Sequence, residues 1–118
     1  MRSFAALIAA TLLAQPAIAE EKELQANHPY VGLWVTEDNR IRHELLPNGR
    51  YVEARGTRER AYEGRYEVTG THIEYWDDTG FTADGDFIGE NEYRGTANDG
   101  EGNNVALRLL KQPDGAIV

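Results

Sequence analysis

The sequence predicts an all-β protein: a single eight-stranded antiparallel up-and-down barrel, round or flattened, that follows an N-terminal signal peptide. Short runs in which apolar and polar residues alternate recur along the chain, and turn signals separate them. The chain has 118 residues and no cysteine, which suits one domain without disulfides. Strands joined by hairpins at this spacing are typical of a meander barrel, whose interior holds side chains or one small ligand.

The first 19 residues have the features of a cleaved leader. Arg2 supplies a positive start, an apolar run extends from Phe4 to Leu13, and Ala17-Ile18-Ala19 reads as a cleavage site. The apolar run is too short to span a bilayer. We therefore expect a signal peptide at 1–19, a polar linker at 20–27, the barrel at 28–111 and a C-terminal tail at 112–118. The protein is expected to be exported, periplasmic or secreted, without membrane attachment after cleavage.

The hairpin at residues 62–77 is the clearest strand pair. Tyr62 and Tyr66 alternate with charged residues, as Ile73 and Tyr75 do on the following strand. A two-residue loop at 69–70 sets Tyr66 opposite Ile73 and Gly64 opposite Tyr75, so that Gly64 leaves room for the Tyr75 ring. A slip of two residues would change these partners but not the faces.

An earlier hairpin has an Asn-Gly turn at 48–49, the strongest short turn signal. With these two residues as the loop, His43 faces Ala54 on the inner side of the barrel. Glu53 and Arg55 then share the outer face with other charged residues.

The remaining segments are predicted as connections and shorter strands. The first strand covers 30–35, with Trp34 plugging one end of the interior. We further predict a polar loop at 56–60, a strand at 81–87 with a bulge at 84–86, a short strand at most at 92–95, a long loop at 96–104 and a closing strand at 104–111. Because alternate connections of a meander lie at the same end, the longer loops form one open mouth.

Several long motifs resemble the Agrobacterium "Atu" family of small uncharacterised proteins. They are His-Pro-Tyr-Val-Gly-Leu-Trp, Ile-Arg-His-Glu-Leu-Leu-Pro-Asn-Gly-Arg-Tyr, Gly-Arg-Tyr-Glu-Val-Thr-Gly and Tyr-Trp-Asp-Asp-Thr-Gly-Phe-Thr-Ala-Asp-Gly-Asp-Phe, between His28 and Phe87. The resemblance implies a streptavidin-like eight-stranded fold. It implies no particular activity, because the family's function is unassigned and its ligand site only proposed. After Tyr93 the chain departs from the family pattern.

The inner wall toward the mouth is the predicted ligand site, because aromatic rings with a few polar groups suit a small-molecule pocket. Its residues are Trp34, His43, Tyr62, Tyr66, Tyr75 and Asp77. Around it we expect the mouth-loop residues Arg40, Arg58, Arg60, Trp76, Asp78 and Phe81. The expected ligand is a small aromatic or amphipathic molecule; the alternative structure is a core that these side chains fill.

Composition restricts the other functions. The formal net charge is −8, one unit more negative without the leader, so nucleic acid is not an expected partner. The chain has no serine after Ser3, which excludes a serine triad from the barrel. No metal or cofactor is expected, since the aspartates lack calcium-loop spacing and the histidines lie on separate segments.

An enzyme is therefore not expected, and two alternatives to a ligand carrier stay open. One is a protein-binding module, such as an inhibitor of an exported protease, acting through the mouth loops. The other is a small-barrel isomerase or hydrolase in which His43 and Asp77 act as a general acid/base pair. No oligomeric state is predicted.

Overall fold

The computed structural model describes residues 28–113 and residue 115, and these form eight β-strands and no helix. The strands are β1 (Gly32–Val35), β2 (Ile41–Leu45), β3 (Arg50–Arg55), β4 (Arg58–Thr69), β5 (His72–Asp77), β6 (Thr82–Ile88), β7 (Glu92–Asn98) and β8 (Asn104–Lys111). The predicted leader and linker lie outside the described residues.

The sheet closes into a barrel. Each strand pairs antiparallel with the next, and β8 returns to pair with β1. This seam contains two register pairs, Trp34 with Lys111 and Val35 with Leu110, whereas the β7–β8 hairpin contains seven. The predicted all-β, eight-stranded up-and-down barrel is confirmed.

Aromatic rings fill the end of the barrel opposite the mouth. Tyr30 stacks on Phe87 with ring centroids 3.7 Å apart. Trp34 packs beside them, 5.0 Å from the Phe87 ring, and its Nε1 donates to the Tyr30 carbonyl at 2.9 Å. Because only 1 % of Trp34 is exposed, this end is closed.

The β2–β3 hairpin pairs one residue away from the predicted register. His43 lies opposite Glu53, not Ala54. Since a shift of one residue turns every side chain of a strand to the other face, Glu53 belongs to the interior and Ala54 to the outer side. The predicted outer position of Glu53 was wrong, and this correction changes the candidate site.

The cause is a loop of three residues instead of two. The Leu46 N–H donates to the Arg50 carbonyl at 2.9 Å, which leaves residues 47–49 in the loop. Gly49 has a φ of 83°, as expected where a type I turn is followed by one left-handed residue. Pro47 suits the first position of such a turn because its ring fixes a negative φ.

The β4–β5 hairpin is displaced by two residues, which preserves the faces. Tyr66 lies opposite Tyr75, and Gly64 opposite Asp77, because the loop falls at 70–71. A methyl group on Gly64 would come within 2.9 Å of the Asp77 Cα. Gly64 therefore permits the close approach of the β5 backbone, and the predicted role of making room for the Tyr75 ring was wrong.

Three stretches predicted as irregular are regular strand. β4 already begins at Arg58, and β7 extends to Asn98, so the loops shrink to 56–57 and 99–103. β6 is unbroken through 84–86, and the register irregularity lies instead in β3, between Glu53 and Arg55. The inner positions of β7 include a glycine and an alanine. These residues are only weakly hydrophobic, so their alternation with polar neighbours did not predict a strand.

No helix among residues 28–113 and 115 has the length and apolar character needed to cross a membrane.

Candidate functional site

A small cavity lies at the mouth end of the barrel. Its lining mixes aromatic rings with ionisable groups and includes His43, Tyr51, Glu53, Arg55, Tyr62 and Tyr75. The room for the centre of a water molecule is about 20 Å³, which holds roughly one water. The cavity thus admits a group of water size and does not enclose an aromatic ring.

His43 and Glu53 form the floor of this cavity. They are 4 % and 5 % exposed, and the His43 Nε2 lies 3.0 Å from the Glu53 Oε1. The contact lies within ion-pair distance but lacks hydrogen-bond geometry, so Nε2 has no hydrogen-bond partner among the described residues. The His43 Nε2 thus meets Glu53 as an ion pair and can still take a well-aligned hydrogen bond.

Arg55 supplies the second partner of Glu53. Its Nε forms an ion pair with the other carboxylate oxygen. Burial alone would raise the pKa of Glu53, but the charges of His43 and Arg55, together with the hydrogen bond from Arg55, outweigh it and hold that pKa below its ordinary value of 4.5. Glu53 is therefore a buried carboxylate at neutral pH.

Two tyrosines form the wall next to His43. The Tyr75 hydroxyl lies 3.3 Å from the His43 Nδ1, and the Tyr51 and Tyr75 rings meet edge to face with centroids 4.9 Å apart. Burial raises the pKa of both phenols well above the ordinary value. Both hydroxyls are thus neutral groups that can donate one hydrogen bond and accept others.

Two side chains reach across the mouth to Asn98 on β7. The Arg55 Nη1 donates to the Asn98 carbonyl at 2.7 Å, and the Tyr62 hydroxyl donates to its Oδ1 at 3.2 Å. The Arg55 guanidinium also lies over the Tyr62 ring, 4.7 Å from its centroid. These contacts narrow the axial opening.

Asp77 lines the cavity but has a structural partner. Its Oδ2 accepts hydrogen bonds from the Thr79 backbone N–H, at 2.8 Å, and from the Thr79 hydroxyl. This arrangement caps the turn between β5 and β6. The carboxylate that the structure places against His43 is that of Glu53, so Asp77 is not the direct acid/base partner of His43.

Trp34 and Tyr66 lie at the closed end and do not line the cavity. The Tyr66 hydroxyl donates to the Leu46 carbonyl at 2.7 Å and lies 2.7 Å from the His28 Nε2. Only His43, Tyr62, Tyr75 and Asp77 of the six predicted wall residues therefore meet around the cavity.

The three arginines of the predicted mouth loops are exposed, and none lines the cavity. Arg40 is next to the β3–β4 loop, where its carbonyl accepts from the Gly56 N–H at 2.8 Å. Arg58 and Arg60 belong to β4, and Arg60 pairs with Glu63 at 2.8 Å.

Of the other predicted mouth residues, Phe81 lines the cavity and is 43 % exposed. Trp76 faces outward, with the Arg65 guanidinium 3.9 Å from its ring centroid. Asp78 is exposed and forms an ion pair with Arg50 at 2.6 Å.

Sequence reasoning missed eight of the lining residues, among them Tyr51, Glu53, Arg55 and Asn98. The first three follow from the β2–β3 register, for which Pro47 before the Asn-Gly pair was the available signal. The fourth lies on a strand that was predicted to be a loop.

Within the described part of the chain, no cluster of three or more histidine, aspartate or glutamate side chains could hold a metal ion.

Comparisons with known proteins place the chain in a family. A search of curated proteins gives no match. The solution structure of the protein Atu4866 from Agrobacterium tumefaciens is similar, with 59 % sequence identity, a TM-score of 0.57, and coverage of 72 % of this chain and 96 % of that one. The sequence model of the family described as Agrobacterium tumefaciens protein Atu4866 matches residues 27–97, more than half of the chain. The chain belongs to the Atu4866 family, and the predicted resemblance is confirmed.

Proposed function

We propose that this barrel binds a small aromatic or amphipathic molecule at its mouth. Tyr51, Tyr62 and Tyr75 form the walls, and His43 with Glu53 forms the polar floor. The observation that carries the proposal is the His43 Nε2, a buried polar atom at a cavity that reaches the surface and without a hydrogen-bond partner among the described residues.

Stability alone gives a weak reason for such a floor. Burying an ion pair often contributes little to folding compared with apolar side chains of the same size. A hydrogen bond formed at a buried site typically contributes about 0.5–1.5 kcal/mol. A ligand group that hydrogen-bonds to the His43 Nε2 would gain this contribution, because that atom has no hydrogen-bond partner among the described residues.

The size of the cavity divides the ligand into two parts. A polar head of about the size of one water fits at the floor. The apolar part would rest at the rim, where Phe81 is 43 % exposed and meets Tyr62 edge-on, with ring centroids 6.1 Å apart. Exposed aromatic surface beside a polar pocket supports an amphipathic ligand.

The predicted leader at residues 1–19 supports a role outside the cytoplasm. Cleavage after Ala19 would leave a mature protein beginning at Glu20. N-terminal sequencing of the protein from the culture medium and from the periplasm tests this; an intact Met1 in both fractions would contradict it.

The binding proposal is tested by native mass spectrometry of the mature protein, purified gently from its own compartment. We expect a retained small molecule in the wild type. Tyr75→Phe removes only the hydroxyl beside His43, so it should weaken retention without removing the ring, and Glu53→Gln should weaken it further.

Glu67→Gln is the matched control, because Glu67 is exposed on the outer face of β4. Its retention should equal that of the wild type. A bare wild-type chain, or equal retention in Tyr75→Phe and Glu53→Gln, would contradict the proposal. A co-purifying protein lost on shortening the loop at 99–103 would favour the alternative of a protein-binding module.

A further inference from the structure

The barrel wall is open between β6 and β7 near the mouth. Their pairing begins at Gly85 opposite Gly95 and continues toward the closed end. Both strands extend further toward the mouth, as residues 82–84 on β6 and 96–98 on β7. These two segments pair with β5 and β8 on their far sides but not with each other, so they border a slit in the wall.

Tyr93 holds the slit apart. Its ring is fully buried and lies against Gly85 and Gly95, where an added methyl group would overlap it. Its hydroxyl donates to the Asp84 carbonyl at 3.3 Å and lies against the Gly95 backbone of the other strand. A phenol thus occupies the place where the next backbone pair of the β6–β7 ladder would form.

Two open spaces meet at this slit. The mouth cavity lies on its inner side, with about 20 Å³ of room for water centres. A groove of about 310 Å³ lies on its outer side. The two linings share Tyr75, Thr82, Ala83 and Thr96, so the spaces adjoin through the wall.

We propose that the ligand of the mouth site is an elongated, neutral or cationic molecule that lies through the β6–β7 slit, with its head at His43 and its body in the outer groove. This inference rests on the proposed function and adds the shape and charge of the ligand. The inner space is too small for the whole molecule, whereas the adjoining groove is about fifteen times larger.

The floor specifies the head group. The His43 Nε2 lacks a hydrogen-bond partner in the described chain, and Glu53 is a carboxylate with a lowered pKa. A hydroxyl is of the size of one water and can bond to both, since it donates and accepts. Glu53 and Asp77, which also lines the cavity, would repel a carboxylate head, and the cation of the lining, Arg55, is already paired with Glu53.

The outer groove specifies the body. Glu74, Trp76 and Asp84 line it, so it offers an aromatic surface and two carboxylates. Cationic and neutral aromatic groups suit such a lining, and anionic groups do not. The slit between the two spaces offers the backbone polar groups of Thr82 and the Asp84 N–H, which point toward β7 because their odd-numbered neighbours bond to β5.

The test closes the slit and leaves the axial mouth open. The chain has no cysteine, so the one intramolecular disulfide that the double variant Asp84→Cys/Thr96→Cys can form crosses the slit, and the oxidised monomer is isolated by gel filtration. The matched control is Asp86→Cys/Arg94→Cys, which joins the same strands at a register pair where the ladder is already closed. The probe is dansylaminobutanol, whose binding is followed by energy transfer from tryptophan and by titration.

We expect the oxidised slit variant to bind dansylaminobutanol about tenfold more weakly than its reduced form, which corresponds to losing one or two hydrogen bonds. The oxidised control should bind like its reduced form. Thr82→Trp, which fills the slit by bulk, should weaken binding even if the disulfide does not form. Dansylaminobutyrate, which carries a carboxylate head, should bind the wild type more weakly than the alcohol.

The two proposals fail in different ways. Failure of the wild type to bind the alcohol overturns the mouth site and the slit together. Binding that is lost in Tyr75→Phe but unchanged by slit oxidation and by Thr82→Trp overturns the slit and supports axial entry. Tighter binding of the carboxylate than of the alcohol overturns the assigned head group.

Discussion

At the scale of single residues, the buried carboxylate of Glu53 forms ion pairs with two side chains. It is 5 % exposed and lies between His43 and Arg55. Glu53→Gln should lower the free energy of unfolding by roughly 2–4 kcal/mol, because it breaks a buried ionic network on one side only. Urea unfolding at about pH 7 measures this difference.

The pH dependence of this difference in the free energy of unfolding shows whether the charge of Glu53 causes it. The pKa of Glu53 in the folded state lies below the ordinary 4.5, so the stabilisation is complete above that pH and is lost as the pH falls through the folded-state pKa. The stability gap between wild type and Glu53→Gln should therefore narrow below about pH 4.5. A gap that stays constant down to about pH 3 would show that the effect is steric.

His28 is a neutral base at the closed end. Its Nδ1 accepts the Tyr30 N–H at 3.1 Å. Because the Tyr66 hydroxyl donates to the Leu46 carbonyl, the His28 Nε2–H must donate to the Tyr66 oxygen. Burial, and then the charge of Lys111, lower the pKa of His28. Its folded state disfavours protonation, so its contribution to stability falls as the pH drops below the ordinary 6.5.

The pKa of His72 is shifted in the opposite direction to that of His28. It lies on the outer face of β5, and the hydrogen bond that its imidazole donates to the Asp86 carboxylate, with the charges of Asp86, Asp84 and Glu74, raises its pKa above the ordinary 6.5. Its contribution is present below 6.5 and is lost as the pH rises through the raised pKa.

NMR titration of the imidazole protons tests both histidines at once. We expect His28 to titrate below 6.5 and His72 above it. His28→Gln and His72→Gln assign the two resonances by their disappearance. The reverse order of the two titrations would contradict the contacts described for both rings.

At the scale of elements, the two hairpins show what sequence patterns determine. The error of two residues in the β4–β5 register left every inner residue inside, because side chains alternate with a period of two. The error of one residue at β2–β3 moved Glu53 to the wrong face. Hydrophobic alternation could not correct it, since β3 is buried on both faces over residues 51–54.

Strand β7 illustrates a second limit of sequence patterns. Its inner positions combine Tyr93 with Gly95 and Ala97, which is a weak hydrophobic pattern. Gly95 is present for a steric reason, because a larger residue would overlap the Tyr93 ring. The ring of Tyr93 needs the space that a side chain at Gly85 or Gly95 would take. This relation joins two strands and has no signal in either one alone.

Gly85→Ala should therefore destabilise the barrel by about 1–3 kcal/mol through overpacking. An added methyl group would lie 2.6 Å from the Tyr93 hydroxyl oxygen. The cost should nearly vanish in a Tyr93→Ala background, where the ring is absent. A double-mutant cycle from urea unfolding measures the coupling; additive effects would show that Tyr93 does not set the spacing.

At the scale of the whole molecule, the barrel was predictable and the site only partly so. The topology can be predicted from the number of strands and from the short turns between them, and this prediction stays correct even when a hairpin register is wrong. The site depends on which residues of opposite strands meet, such as His43 with Glu53 and Tyr62 with Asn98. Such meetings are set by exact register and by barrel closure, which a single strand pattern does not contain.

Closure itself has a weak point. The β1–β8 seam contains two register pairs, against seven in the β7–β8 hairpin. Few hydrogen bonds must break to open this seam, so we expect it to open before the rest of the barrel unfolds. Two neighbouring residues of β8 allow the opening of the seam and of the hairpin to be compared. Leu110 pairs with Val35 across the seam, and Leu109 pairs with Tyr93 across the hairpin.

Native-state hydrogen exchange compares the Leu109 and Leu110 amides within one sample. Backbone N–H groups point alternately to the two neighbouring strands. The Gln112 N–H bonds to the Leu33 carbonyl, so the Leu110 N–H, two residues earlier, also points toward β1. The Lys111 N–H bonds to the Asn91 carbonyl, so the Leu109 N–H points toward β7. We expect Leu110 to exchange about tenfold faster or more, through local opening of the seam. Equal rates that both follow global unfolding in added urea would mean that the barrel opens only as a whole.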